Sequence, residues 1–164
     1  MPEARNRGGS AAAIADAKMI GGWTLNVHHA YDPGSNTLFL GDGEKRSGWQ
    51  LGTPAALNGN LLVTPKDGGE VYVFDPTGRH LQTLKPMTGA LKYQFGYDAS
   101  GNLASVTDDI GNVTTIQRDA SAHGTAIVSP YGQTTNLTHD SNGFLSQVTD
   151  PFGHTAKFAN TAAD

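Results

Sequence analysis

The feature that most constrains this chain is a unit that returns every 21 residues through its C-terminal half. Asp98, Asp119 and Asp140 keep that interval, and so do Val106, Ile127 and Val148. Gly111, Gly132 and Gly153 repeat in step with them, as do Ile116, Leu137 and Phe158. Gly101 and Gly143 match as well, with Ala122 at the glycine position of the middle unit. A longer unit precedes these and supplies Asp75, Gly78 and Gly89, at a spacing of 23 residues (98 − 75). A unit this short cannot bury its own apolar face, so it gains a core only by pairing with its neighbours.

Each unit has room for two strands of about five to six residues and two turns. The first turn is Asp-x-x-Gly, in which the carboxylate bonds its own backbone and glycine takes the positive φ. The structural turn residues on this reading are Asp75, Gly78, Asp98, Gly101, Gly111, Asp119, Gly132, Asp140, Gly143 and Gly153. The second strand puts Ile116, Leu137 and Phe158 on one face with Thr114, Thr135 and Ala156. In the first strand Leu103 and Val106 stand three apart, and a β-bulge would bring both to the core side. The segment LKYQFGYD alternates most cleanly, with Leu91, Tyr93, Phe95 and Tyr97 on one face. The expected core is therefore Tyr93, Phe95, Val106, Ile116, Ile127, Leu137, Val148 and Phe158.

Upstream the pattern is looser. Residues 1–20 read as a flexible tail with a short helix, because Ser10 caps the Ala-rich run AAAIADAKMI and glycines follow it. Residues 21–42 read as a β-hairpin, in which WTLNVH alternates Trp23, Leu25 and Val27 with polar residues and NTLFLGDG follows the turn DPGSN. Residues 43–60 show no period and read as a junction loop, and residues 61–164 form the repeat sheet. The fold class is all-β: tandem antiparallel hairpins in one curled, open sheet. The 21 glycines and 8 prolines favour many short elements in the same way.

Charge and composition exclude several functions. Residues 97–164 carry two cations against seven carboxylates, so that half has no means of following a phosphate backbone, and nucleic acid is not an expected partner. With no cysteine, the chain has no disulfide framework, thiolate nucleophile or zinc-finger pattern. The N-terminal apolar stretch is short and broken by Asp16 and Lys18, and reads as neither a signal peptide nor a membrane span.

Candidate chemistry is sparse. His28-His29 with Asp32 is the densest metal-like cluster, but neighbours on a strand point to opposite faces. His80, His123, His139 and His154 are scattered. Asp98, Ser100, Asn102 and Asp109 sit at positions of a calcium loop whose glycine is replaced by Leu103, so an Asx turn is the better reading. No catalytic residue, metal site or cofactor is expected. Tyr131 and Phe152 share one repeat phase and form a candidate binding face for glycans or a protein surface.

The stretch FGYDASGNLASVTDDIGNVTTIQRD resembles the YD repeat of Rhs proteins and teneurins, through Tyr97-Asp98, Gly101, Leu103, Val106-Thr107-Asp108 and Gly111-Asn112. The resemblance covers roughly residues 63–164. GGWTLNVHHAYDPGSNTLFLGDGEKR is similar to the segment that precedes the NHL propeller in teneurin-like proteins, and LLVTPKDGGEVYVFDPTGRHLQTL to the passage from that propeller into the repeats. Only residues 43–60 join the two here, so the resemblance implies a fragment or short form without the propeller. It also implies an extracellular or cell-surface location and a non-enzymatic role in a β-shell. Such a shell encloses a toxin cargo or supports contact with a cell-surface receptor, without membrane insertion. An open sheet with an aromatic concave face is expected to self-associate or to pair with further shell repeats.

Overall fold

The computed structural model describes residues 20–159. The tail and helix expected over residues 1–20 fall, apart from Ile20, outside the described residues. A three-stranded antiparallel sheet comes first, from β1 (Ala30–Asp32), β2 (Thr37–Phe39) and β3 (Lys45–Ser47). An eleven-stranded antiparallel meander follows in strict chain order. Its strands are β4 (Ala55–Leu57), β5 (Asn60–Val63), β6 (Val71–Phe74), β7 (His80–Leu84), β8 (Leu91–Tyr97), β9 (Leu103–Asp108) and β10 (Val113–Arg118), then β11 (Gly124–Val128), β12 (Thr134–His139), β13 (Leu145–Thr149) and β14 (Thr155–Lys157). Among the described residues the sheet is open, with β4 and β14 at its edges.

The repeat is visible in the register. The turns that begin at Asp75, Asp98, Asp119 and Asp140 are each followed by a β-bulge on the outgoing strand, whereas those at Asp108–Gly111 and Asp150–Gly153 lead into an unbroken register. Tyr97 pairs with Leu103 but Gly96 with Ser105, which leaves Ala104 as the extra residue. Leu81, Thr125 and Ser146 are extra residues in the same way. The bulge turns both Leu103 and Val106 inward: Leu103 is fully buried, and Val106 packs on the same cluster. Cross-strand pairs Phe95 with Val106, Ile116 with Ile127 and Leu137 with Val148 form a continuous apolar row along that face. The unit of 23 residues differs from the others at two places. Its turn between Lys85 and Ala90 is one residue longer, and Lys92 is an extra bulged residue between β7 and β8.

Residues 20–28 lie against this row. Ile20 is buried among Phe95, Leu103, Ile116, Leu137 and Leu145, with Trp23, Leu25 and Val27 packed beside it. The Leu145 amide donates to the Gly21 carbonyl at 3.1 Å, and the rings of Trp23 and Phe158 are 4.9 Å apart. This overturns two expectations. WTLNVH is not a strand: beyond one bridge from Ile20 to Trp23 it has no ladder, and the chain turns at Asn26-Val27. Its alternation is that of an extended strap laid over a sheet, which presents every second side chain just as a strand does. The aromatic face of LKYQFGY is likewise covered, since the strap leaves Phe95 only 5% exposed.

The junction expected to be a loop over residues 43–60 holds β3, a 3-10 turn at Gly48–Gln50 and β4. Lys45–Ser47 and Ala55–Leu57 are largely exposed strands held by backbone pairing, so they carry no apolar period to read. A second buried cluster, Tyr31, Leu38, Leu40, Leu51, Val63, Tyr72 and Phe74, joins the small sheet to β5 and β6. At that contact Tyr31 donates its amide to the Gly78 carbonyl at 3.0 Å.

Candidate interaction surface

One backbone device makes nearly every reversal of the large sheet. An aspartate at the first position accepts, through one carboxylate oxygen, the amides two and four residues on. For Asp98 these are Ser100 and Asn102 at 2.9 and 2.8 Å, and for Asp150 they are Phe152 and His154 at 2.9 and 2.8 Å. The residue at the fourth position takes a positive φ, which is glycine at 78, 101, 111, 143 and 153 and Ala122 at +66°. Side-chain bonds from Asn102 and Asn112 first, then backbone amides, hold Asp98 and Asp108 below the usual carboxylate range. The same hydrogen bonds account for the calcium-loop spacing: Asp98, Ser100 and Asn102 form an Asx turn, while Asp109 pairs with Lys85 at 2.6 Å.

The third position of this turn points outward, and what fills it depends on the end of the sheet. At one end it holds Thr77, Ser100, Ser121 and Asn142. At the other end it holds Met87, Ile110, Tyr131 and Phe152, which are 94%, 79%, 80% and 83% exposed. The turns that carry Ile110, Tyr131 and Phe152 have the same backbone hydrogen bonds and positive φ at the fourth position as those at the other end, so the turn does not demand an apolar residue there; the turn of Met87 is one residue longer. Alternate hairpins in a sheet stand about 10 Å apart, so the four side chains form a row at one end of the hairpins. Beside Tyr131 an open cleft of about 590 Å³ is lined by polar groups that include Gln133, Asn136, Thr149 and Asp150. Tyr131 and Phe152 thus project from hairpin tips as the sequence placed them. Met87 and Ile110 continue the row and were missed, although the same intervals of 23 and 21 residues identify them.

Of the expected core residues, Phe95, Ile116 and Leu137 are buried, and Tyr93, Val106, Ile127, Val148 and Phe158 are half-buried against them. His28 and His29 do not point to opposite faces: both rings pack beside His80, at 5.8 and 5.1 Å between centroids. They lie where the strap meets β1, outside any strand, so strand alternation does not apply. His80 is fully buried at the repeat phase held by Leu103 and Leu145. Its Nδ1 accepts the His29 amide at 3.1 Å and its Nε2 donates to the Gln82 carbonyl at 3.0 Å. Burial, then the neighbouring His29 and His28, push its pKa well below the ordinary imidazole value. Burial first, then Glu70, push the adjacent Tyr72 hydroxyl up to about 12. The ring nitrogens of His80 are thus committed to the fold. Among the described residues no group of three or more His, Cys, Asp or Glu gathers to hold a metal. Nor, among them, is any helix long and apolar enough to cross a membrane.

Comparison with known proteins accords with this geometry. The family profile of the teneurin YD-shell matches residues 58–162. Human Teneurin-4 is 40% identical over 60 residues, which is 37% of this chain and 2% of that protein. Zebrafish (Danio rerio) Teneurin-3 is 36% identical over 66 residues, 40% of this chain and 2% of that protein. Drosophila melanogaster Teneurin-m is 38% identical over 56 residues, again 2% of its length. The chain therefore aligns with only a small part of each relative. The family match spans well over half of the sequence and coincides with the bulged, 21-residue hairpin meander, and on that basis the chain belongs to the teneurin YD-shell family.

Proposed function

We propose that the chain is a non-enzymatic wall segment of an extracellular, teneurin-like YD shell, and that its sheet is extended by further repeats pairing along β14. The observation that carries this reading is the regularity of the hairpin meander up to an edge. Each bulged unit pairs with the next, and among the described residues β14 has a neighbour on one side only. Unpaired strand edges of this kind template the addition of another strand. The strap over residues 20–28 occupies the apolar face, which favours a role in surface contact over enclosure of a toxin cargo by this segment. The test is to append one further 21-residue repeat unit after the C-terminus and to follow amide exchange at Thr155–Lys157. Protection of those amides with a raised melting temperature is the expected result. Unchanged exchange at β14 would sink the proposal.

A second reading, adhesion through the hairpin tips, is favoured by the polarity difference between the two ends of the sheet. On it Met87, Ile110, Tyr131 and Phe152 form the contact for a glycan or protein partner. Binding on a glycan or cell-surface array that is lost in Tyr131→Ala, with unchanged melting, supports this reading. Binding unaffected by removal of all four side chains excludes it.

A further inference from the structure

Outside the matched family region, Trp49 stands 81% exposed on the 3-10 turn Gly48–Gln50. It belongs to neither buried cluster, yet its position is tightly fixed. The Ser47 amide donates to Gln50 Oε1 at 3.1 Å, and the Lys66 amide donates to the Gln50 carbonyl at 2.9 Å. The following Leu51 is 2% exposed and anchors the turn in the second cluster. A cleft of about 190 Å³ opens against the indole, lined by Glu44, Arg46, Gln50, Lys66 and Asp67 as well as Trp49. The Arg46 guanidinium is held in place from two sides. Its Nη1 donates to both Asp67 carboxylate oxygens at 2.8 Å, and its Nε donates to Glu44 Oε1 at 2.9 Å.

These features define a small ligand by its chemistry. The volume falls below the roughly 300 Å³ at which drug-sized pockets begin, which leaves room for a single ring. Two carboxylates face two cations, so the cleft has no net charge and selects no ion. It offers fixed acceptors and fixed donors beside an aromatic face. A neutral ring with hydroxyl groups on its rim and C–H groups on its face satisfies all three. We propose that the Trp49 cleft binds a neutral pyranose, with the sugar ring stacked on the indole and its hydroxyls bonded to Asp67, Glu44, Arg46 and Lys66.

The test is titration of the full chain with methyl glycosides of glucose, galactose, mannose and N-acetylglucosamine, followed by the NMR shift of the Trp49 indole N–H. Affinities for one small ring are expected on the order of 1–10 mM. Trp49→Ala should weaken binding at least about tenfold, whereas Trp49→Phe keeps a stacking face and should retain part of it. Because Trp49 is exposed, both variants should melt with the parent. Asp67→Asn should weaken binding and leave the melting temperature nearly unchanged. Tyr131→Ala/Phe152→Ala should have no effect, which separates this site from the hairpin tips. No indole shift with any of the four glycosides at 100 mM (about ten times the weakest expected constant), or equal binding by Trp49→Ala, would overturn the proposal.

Discussion

Gly78 and Gly111 occupy the same position of the same turn, with φ of +89° and +90°, yet the structure assigns them different consequences. Alanine at either site must adopt the left-handed region, which costs about 1–2 kcal/mol. At Gly111 nothing else lies within 4 Å of the added Cβ, so that strain is the whole effect. At Gly78 the Cβ would fall 1.7 Å from the Tyr31 carbonyl oxygen, and backbone has to move. The group that moves is β1, whose Tyr31 amide donates to the Gly78 carbonyl from a residue only 2% exposed. Leaving a buried amide without its acceptor costs a further 1–3 kcal/mol or so. Gly78→Ala should therefore lose about 3–5 kcal/mol, and Gly111→Ala about 1–2 kcal/mol. Urea unfolding of the two variants, compared at a common slope, reads the difference directly. Equal losses would show that the small sheet does not rest on this turn.

Three further outcomes follow from the same geometry. Ala122 alone among the Asp-x-x-Gly turns lacks glycine, so Ala122→Gly should relieve left-handed strain and stabilise the chain by about 0.5–1 kcal/mol after the entropy cost of glycine, measured as a raised urea midpoint. Ile20→Ala removes a side chain 3% exposed between strap and sheet and should cost about 2–4 kcal/mol, with increased binding of an apolar dye to the uncovered face. Because the folded pKa of His80 is depressed, the unfolded chain binds the extra proton, so stability is complete above about pH 6.5 and falls below it, by up to about 1.4 kcal/mol per pH unit. His139, depressed first by burial, acts in the same direction, and the turn carboxylates add their loss only below about pH 4. His80→Leu should flatten the slope between pH 5 and 6.5 in pH-dependent melts, and an unchanged slope would rule out His80 as its source.

The large sheet was legible because its information is periodic. Interval, turn chemistry and the three-residue step from Leu103 to Val106 together define a bulged hairpin, and the register carries that bulge where it was expected. The N-terminal part was less legible for a physical reason. Trp23, Leu25 and Val27 alternate whether they lie along a sheet or across it, and the sequence does not distinguish a ladder from a strap. Lys45–Ser47 and Ala55–Leu57 are largely exposed strands with no buried apolar side chain, so they show no apolar period to read. The tip row was half legible. Tyr131 and Phe152 attract notice as aromatics, whereas Met87 and Ile110 declare themselves only when the turns at the two ends are compared position by position.

Native-state amide exchange across residues 20–159 tests the account most directly, because one data set reads the strap, the ladder and the edge together. The Leu145 amide, bonded to Gly21, and the Tyr31 amide, bonded to Gly78, should exchange as slowly as the central strands β8 to β12. Amides of Ala55–Leu57 and Thr155–Lys157, at the two edges, should exchange fastest among the strands of the large sheet. That pattern is the signature of a sheet closed on one face by its own N-terminal segment and still open for pairing at β14. Rapid exchange at Leu145 and Tyr31, at rates typical of the hairpin tips, would mean that residues 20–32 do not rest on the sheet, and the account of its core would fail.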